Sequence, residues 1–316
     1  MRFNLIKNTF LLFILSIISL NLNAQGFMSA NSWKKQRHEL YIGIGASNFL
    51  GDLGGRDDIG KDFSYADLEL TLTRPSLTMG YRYRALKFLA FRADFNYMRI
   101  YGSDELTKEP IRNNRNLSFR SPIVELSGIV ELTSQISTMG NRYHIKKTMR
   151  RRYKASNQYL YVFMGIGMFY YNPQALYNGQ WVDLRPLSTE GQGLPGGPAE
   201  YKGISVCIPF GFGYRLNISR KLTLGLEYNF RKTFTDYIDD VSGVYYDKQL
   251  LLAYKGPVSA ALSDPSKGDI PGATTPNADG TGAQRGDIQK DSYMCIELKV
   301  GYFLTTKSRK RARSKF

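Results

Sequence analysis

Eight stretches of the chain alternate apolar residues with polar or small ones at a period of two, the spacing that puts side chains on opposite faces of a β-strand. They cover residues 39–47, 77–84, 89–101, 118–132, 158–171, 205–216, 222–232 and 291–304. In the first, Leu40, Ile42, Ile44 and Ala46 face away from Tyr41, Gly43, Gly45 and Ser47. In the third, Phe91, Ala93, Phe95 and Tyr97 oppose Arg92, Asp94 and Asn96. A soluble sandwich or lipocalin-like barrel would turn its apolar face inward and a polar face outward. Here the bulky apolar face is paired with one bearing Arg, Asp, Glu or Lys on nearly every strand, which suits lipid outside and a polar lumen. The expectation is an all-β fold, an eight-stranded antiparallel transmembrane β-barrel.

The rest of the chain is consistent with export to an outer membrane. Arg2 and Lys7 flank a basic start, an apolar run covers residues 10–20, and Ala24 is a small residue suited to cleavage. That run is shorter than the ~20 residues of a transmembrane helix. The expected organisation is a signal peptide over residues 1–24, a periplasmic segment over 25–37, the barrel over 38–304, and a basic tail over 305–316. The 22 Tyr, 18 Phe and 30 Gly coexist with a mean hydropathy of only −0.33, as alternating strands with polar interiors and loops would give. Connections alternate short and long, which places both termini in the periplasm. Residues 85–88 and 217–221 are short inner turns. Residues 48–76, 102–117, 172–204 and 233–290 are long outer loops, and the Gly/Pro-rich stretch 256–286 is expected to lack regular structure in part. The inner connection 136–157 breaks the rule by its length.

An eight-stranded lumen is narrow enough for side chains to fill. The inward phase supplies Arg82, Arg84, Arg92, Arg215, Arg231 and Lys299 against Asp94, Glu125, Glu131, Glu227 and Glu297. Buried charges pair, so a packed ionic interior is expected instead of a pore. Cys207 and Cys295 also fall in the inward phase, on strands that are not neighbours. Two small buried residues are favoured over a cross-lumen disulfide.

The formal net charge is +16, and its excess is concentrated in two blocks. The long inner connection carries Arg142, Lys146, Lys147, Arg150, Arg151, Arg152 and Lys154, and the tail carries Lys307, Arg309, Lys310, Arg311, Arg313 and Lys315, with no acid in either. Such blocks meet anionic lipid headgroups of the outer membrane or dock an acidic protein surface. Nucleic acid is in the wrong compartment and no binding module accompanies the charge. Catalysis finds little support, because His38 and His144, the two histidines, sit away from any outer-rim Ser and carboxylate. No cofactor motif is found. Asp52, Asp236, Asp239 and Asp240 are hard oxygen ligands of the kind Ca²⁺ takes. Their spacing is not that of an EF-hand loop, and ordinary turn chemistry is the favoured reading, with no metal expected.

Two loop motifs carry a family resemblance. Phe49-Leu50-Gly51-Asp52-Leu53-Gly54-Gly55 follows the first strand, and Thr235-Asp236-Tyr237-Ile238-Asp239-Asp240-Val241-Ser242 follows the seventh. With them, the chain over about residues 38 to 304 resembles the PorG-like outer-membrane barrels of Bacteroidota. The resemblance implies an eight-stranded barrel and a role in type IX secretion and gliding, beside a periplasmic ring of PorK and PorN type. Arg150, Arg151, Arg152, Lys154, Lys310 and Arg311 are the expected docking contacts. Two rivals stay open: a barrel that binds ligands or cells through its outer loops, and a lipid-modifying enzyme, which the histidine positions disfavour.

Overall fold

The computed structural model of the protein describes residues 32–53, 71–107, 109–136, 158–274, 283–287 and 289–304. Eight long strands form the barrel: β1 (His38–Leu50), β2 (Arg74–Arg84), β3 (Leu89–Ser103), β4 (Ser118–Gln135), β5 (Gln158–Tyr171), β8 (Ile204–Asn217), β9 (Leu222–Thr233) and β10 (Ser292–Leu304). Each pairs antiparallel with its neighbours in chain order, and β1 pairs with β10 from His38↔Leu304 to Leu50↔Ser292. The eight barrel strands therefore form a closed cylinder. The first and last barrel strands begin and end at one end of the cylinder, here called the terminal end. The turns 85–88 and 218–221 lie there too, and the long connections gather at the other, the loop end. The proposed leader, the basic inner connection from 137 to 157 and the tail from 305 lie outside the described residues.

The alternation resolves as the sequence predicts. Leu40, Ile42, Ile44, Phe91, Phe95, Leu126, Val162, Met164 and Ile166 point outward and are exposed, Ile166 to 69 %. The intervening residues point inward and are buried. A water-soluble barrel has the opposite polarity, so this exterior is suited to hydrocarbon. Among the described residues, no helix is long and apolar enough to cross a membrane.

The terminal half of the lumen holds a continuous ionic network. Arg82 donates to Glu39 Oε2 at 2.7 Å and to Glu131 Oε2 at 2.9 Å. Arg92 donates to Glu227 Oε2 at 2.9 Å and Asp94 Oδ2 at 2.5 Å, and Lys299 donates to Glu227 Oε1 at 2.6 Å. Arg215 reaches Glu131 Oε1 at 3.2 Å. All eleven charges expected inside are buried. Glu39, at the very start of β1, joins them as a sixth acid against six bases. Aromatic rings separate the layers: Arg82 lies 4.9 Å from the Tyr41 centroid and Arg92 lies 4.9 Å from that of Phe163. Gly80 makes room for the first of these, because a Cβ there would sit 2.3 Å from Tyr41 Cζ.

Above the network, toward the loop end, lies an apolar tier. Phe49, Met98, Ile100, Phe119, Phe169, Tyr171, Tyr293 and their neighbours form one buried cluster. Cys207 and Cys295 belong to it as free thiols, with Cys295 Sγ 3.6 Å from Met98 Sδ. The lumen is filled by these two tiers, as the narrow strand number predicts.

The loops add structure that the period-two pattern does not reveal. A hairpin, β6 (Gln174–Tyr177) and β7 (Gln180–Asp183), turns at Asn178 and Gly179, both at positive φ. Three short helices follow, the first two with side-chain caps: α1 (Pro110–Arg115), α2 (Lys248–Lys255) and α3 (Pro257–Ser263). Glu109 accepts from the N–H groups of Ile111 and Arg112, and Asp247 from that of Gln249 at 2.7 Å. The last helix lies inside the Gly/Pro-rich stretch expected to be irregular. Pro257 at its first turn starts it, and Ser259 and Ser263 tie it to the carbonyls of Leu187 and Thr189. Residues 275–282 of that stretch are outside the described set.

Candidate functional site

Of the residues singled out in the sequence, Arg150, Arg151, Arg152, Lys154, Lys310, Arg311 and Gly54 lie outside the described residues. The other loop-motif residues, Gly51, Asp52, Thr235, Asp236, Tyr237, Asp239 and Asp240, meet at the loop end. The register explains why: Leu50 stands beside Ser292, and Ser292 beside Lys232, so the tops of β1, β10 and β9 are adjacent. The two loop motifs that continue β1 and β9 are thereby pressed against each other, with Asp291 between them.

Four carboxylates converge there. Asp52 Oδ2 accepts from the Asp287 N–H at 2.8 Å. Asp236 Oδ2 accepts from Ser242 Oγ at 2.6 Å, Asp239 Oδ1 from the Val241 N–H at 3.0 Å, and Asp291 Oδ2 from the Ile238 N–H at 2.9 Å. Asp236, Asp239 and Asp291 are buried. Gly51 permits the approach, since a Cβ there would lie 2.4 Å from Asp291 Oδ1. The second oxygens of Asp236 and Asp239 have no hydrogen-bond partner. Arg115, Lys232 and Lys290 are the nearby cations, but Arg115 serves Asp104 at 2.7 Å and holds the Asp52 carbonyl at 2.8 Å, and Lys232 donates to the Lys290 carbonyl at 2.9 Å.

Burial dominates the electrostatics of this cluster, and mutual repulsion adds to it. Burial raises Asp52 to about 7 and Asp236 to about 6, and it holds Asp239 and Asp291 well above the usual carboxylate range. Among the described residues, no three His, Cys, Asp or Glu side chains are arranged to hold a metal ion. Burial, and the repulsion among these carboxylates, both favour the protonated carboxyls over the charged ones.

Beside it, Asp240 adopts a positive φ of 66° and anchors a second network, in which one guanidinium, that of Arg285, serves two acids. It accepts from Thr189 Oγ1 and Tyr201 OH, each at 2.5 Å. Arg285 donates to the Asp240 carbonyl at 2.7 Å and to Glu190 Oε1 at 2.9 Å. Tyr237 stacks on Tyr201 with centroids 4.6 Å apart, and Thr235 bonds Tyr171 OH at 3.1 Å. Thr235, Asp236, Tyr237, Asp239 and Asp240 are thus packing and hydrogen-bonding residues of a lid over the lumen. Glu190, Arg285, Arg115 and Asp104, which complete it, lie in the connections between barrel strands, where no period-two pattern marks them.

The cluster makes lid stability depend on pH. The folded lid holds protons that the unfolded chain releases above the ordinary Asp value of about 4. Its contribution is therefore full below about pH 4 and is lost as pH rises through about 7. A carboxyl held one pH unit above its ordinary value is worth ~1.4 kcal/mol of stability, about tenfold in opening. Asp239→Asn should remove much of this dependence, leaving amide exchange of residues 236–242 at pH 8 at least tenfold slower than in the parent. Equal protection of parent and variant at pH 5 and pH 8, after correction for intrinsic rates, would refute it.

A family model described as "Domain of unknown function (DUF6089)" matches residues 22–250. No curated protein sequence matches the chain. Similar solved structures include Ail, the attachment invasion locus protein of Yersinia pestis, in complex with the heparin analogue sucrose octasulfate. It is 9 % identical, covering 84 % of this chain and 98 % of that one, with a TM-score of 0.33. Neisserial surface protein A is 8 % identical over 84 % and 96 % at a TM-score of 0.36. The outer-membrane protein OprG from Pseudomonas aeruginosa is 9 % identical over 86 % and 98 % at 0.33.

Proposed function

The chain belongs to the family described as a domain of unknown function (DUF6089), and from that premise we propose that it is a non-enzymatic outer-membrane barrel subunit of the type IX secretion and gliding machinery, which anchors a periplasmic ring of PorK and PorN type. The observation that carries this reading is the one-sidedness of its charge. The connection between β4 and β5 and the segment after β10 both leave the barrel at the terminal end, and together they bring thirteen cations and no Asp or Glu. A barrel with a filled lumen offers no passage for solute, so its function is assigned to its ends. In this reading the terminal end faces the periplasm, and its cations engage an acidic protein surface and the anionic lipid around it. The loop motifs around Asp52 and Asp236, through which the chain resembles PorG-like barrels, support the same assignment.

A second reading places the active surface at the loop end, where Leu250, Leu252 and Tyr254 of α2 are exposed. In-cell crosslinking of a tagged copy, followed by mass spectrometry, separates the two. The comparison strain carries Glu at Arg150, Arg151, Arg152, Lys154, Lys310 and Arg311. Recovery of the ring lipoprotein from the parent, lost on charge reversal while the barrel still folds, is the expected outcome. Recovery of neighbouring barrels alone, unchanged by charge reversal, would overturn the secretion reading and favour the loop end.

A further inference from the structure

The terminal mouth of the lumen contains a guanidinium that no carboxylate of the described residues pairs with directly, although six acids face six bases in the lumen as a whole. Arg84, the last residue of β2, is buried with 4 % of its surface exposed. Its guanidinium lies over the rings of Tyr159 and Phe303, 5.7 Å from each centroid. Among the described residues no carboxylate pairs with it, and its Nη2 has no hydrogen-bond partner. Arg215 shares the Tyr159 ring at 5.5 Å, and its Nε and Nη2 are likewise unpartnered. Both side-chain atoms of Asn217, two residues along β8, are buried without partners, and so is Gln36 Oε1.

These orphans are mostly donors. Arg84, Arg215 and Asn217 present four unused N–H-bearing nitrogens against the acceptor oxygens of Asn217 and Gln36. Glu39 and Glu131, the carboxylates of this tier, are occupied by Arg82 and Arg215, by Arg92 at Glu131, and by the hydroxyls of Thr223 and Thr133. Residues 25–37, 85–88, 136–157, 218–221 and 305–316 contain no Asp or Glu. Water can satisfy idle donors, but it does not neutralise a buried guanidinium.

We infer that the terminal mouth of the lumen is a binding site for a small oxyanion, a phosphate or carboxylate group, held by Arg84 with the idle donors of Arg215 and Asn217. The oxyanion gives Arg84 the direct partner that the other lumen guanidiniums have, and uses the idle nitrogens of Arg215 and Asn217. Its two sources are a free solute at this end and the phosphate of a lipid headgroup at the rim.

The test is calorimetric titration of the full chain, refolded in maltoside micelles that contain no phosphate, with inorganic phosphate and with acetate. Saturable one-to-one binding of phosphate is expected. It should weaken at least tenfold in Arg84→Gln and several-fold in Asn217→Leu, and stay unchanged when Lys310 and Arg311 are replaced by Gln. Folding of each variant is checked by its gel mobility before and after heating, and Asn217→Leu carries the test if Arg84→Gln does not fold. Repeating the titration in phosphatidylglycerol vesicles distinguishes the sources. Retained binding identifies a free solute, and binding lost only in vesicles identifies the headgroup phosphate. Equal affinity of the parent and the folded site variants, or heat that never saturates and falls with the tail charges, overturns the inference.

Discussion

Replacing Glu131 by Leu should destabilise the barrel by roughly 3–5 kcal/mol, the usual consequence of removing one partner from a buried ion pair. Glu131 is the most shared acid of the lumen: Arg82 bonds it at 2.9 Å, Arg215 at 3.2 Å and Arg92 at 3.4 Å, all buried. Without it Arg92 still has Asp94 and Glu227, and Arg82 still has Glu39. Arg215 keeps only Glu39, at 3.8 Å, and becomes the most weakly compensated of the three. The cost should therefore be concentrated on one residue. Adding Arg215→Leu to the variant should recover part of the loss, a coupling on the order of 2 kcal/mol in a double-mutant cycle. Urea unfolding followed by the fluorescence of Trp33 and Trp181, one near each end of the barrel, measures both. The exposed pair Lys248–Asp264, at 3.8 Å, is the control and should change by less than ~1 kcal/mol when broken. A Glu131→Leu barrel as stable as the parent would mean that the network is decoration on a sheet held by its hydrogen bonds alone.

How far the fold is legible in the sequence follows from what each level of structure needs. Barrel strands need only a local period, and residues 158–171 are both the sequence segment and the observed strand β5. Inward charge follows from the same phase, which is why Arg82, Arg92, Glu131 and Glu227 are placed correctly. Glu39 shares that phase with Tyr41, yet stands at the first turn of the strand, where alternation has little sequence on one side to establish it. The β6–β7 hairpin is signalled by Asn178-Gly179, the dipeptide suited to a two-residue turn with both φ positive, but its arms are only four residues long. The meeting of Asp52, Asp236, Asp239 and Asp291 follows from closure: once β1 lies beside β10 and β10 beside β9, the loops above them must touch. What no local pattern can supply is the partner of a lone loop charge. Arg285 and Glu190 are 95 positions apart and find each other only because the lid is packed over the lumen.

Substituting Ile166 by Arg distinguishes a barrel made for lipid from one made for water. Ile166 stands nine residues into the fourteen of β5, points outward, and is the most exposed of the large apolar side chains at 69 %. Its neighbours on the strand face, Met164 and Met168, are 62 % and 57 % exposed, so an arginine there has no inward escape. At mid-depth in a bilayer the substitution should cost ~2–4 kcal/mol. On a water-facing surface, replacing an exposed isoleucine changes stability by about 0.5 kcal/mol or less. Leu252→Arg, on the exposed face of α2 at the loop end, should be near neutral in either case and controls for charge itself. The comparison is made in lipid vesicles, by unfolding midpoint. A large loss at Ile166 with none at Leu252 is expected, because the lumen is already filled by its buried charges and its apolar tier, while the exposed apolar side chains of β5 lie on the outer face. A near-neutral Ile166→Arg would mean that this band is covered by protein or water, and the barrel would have to be placed outside the membrane.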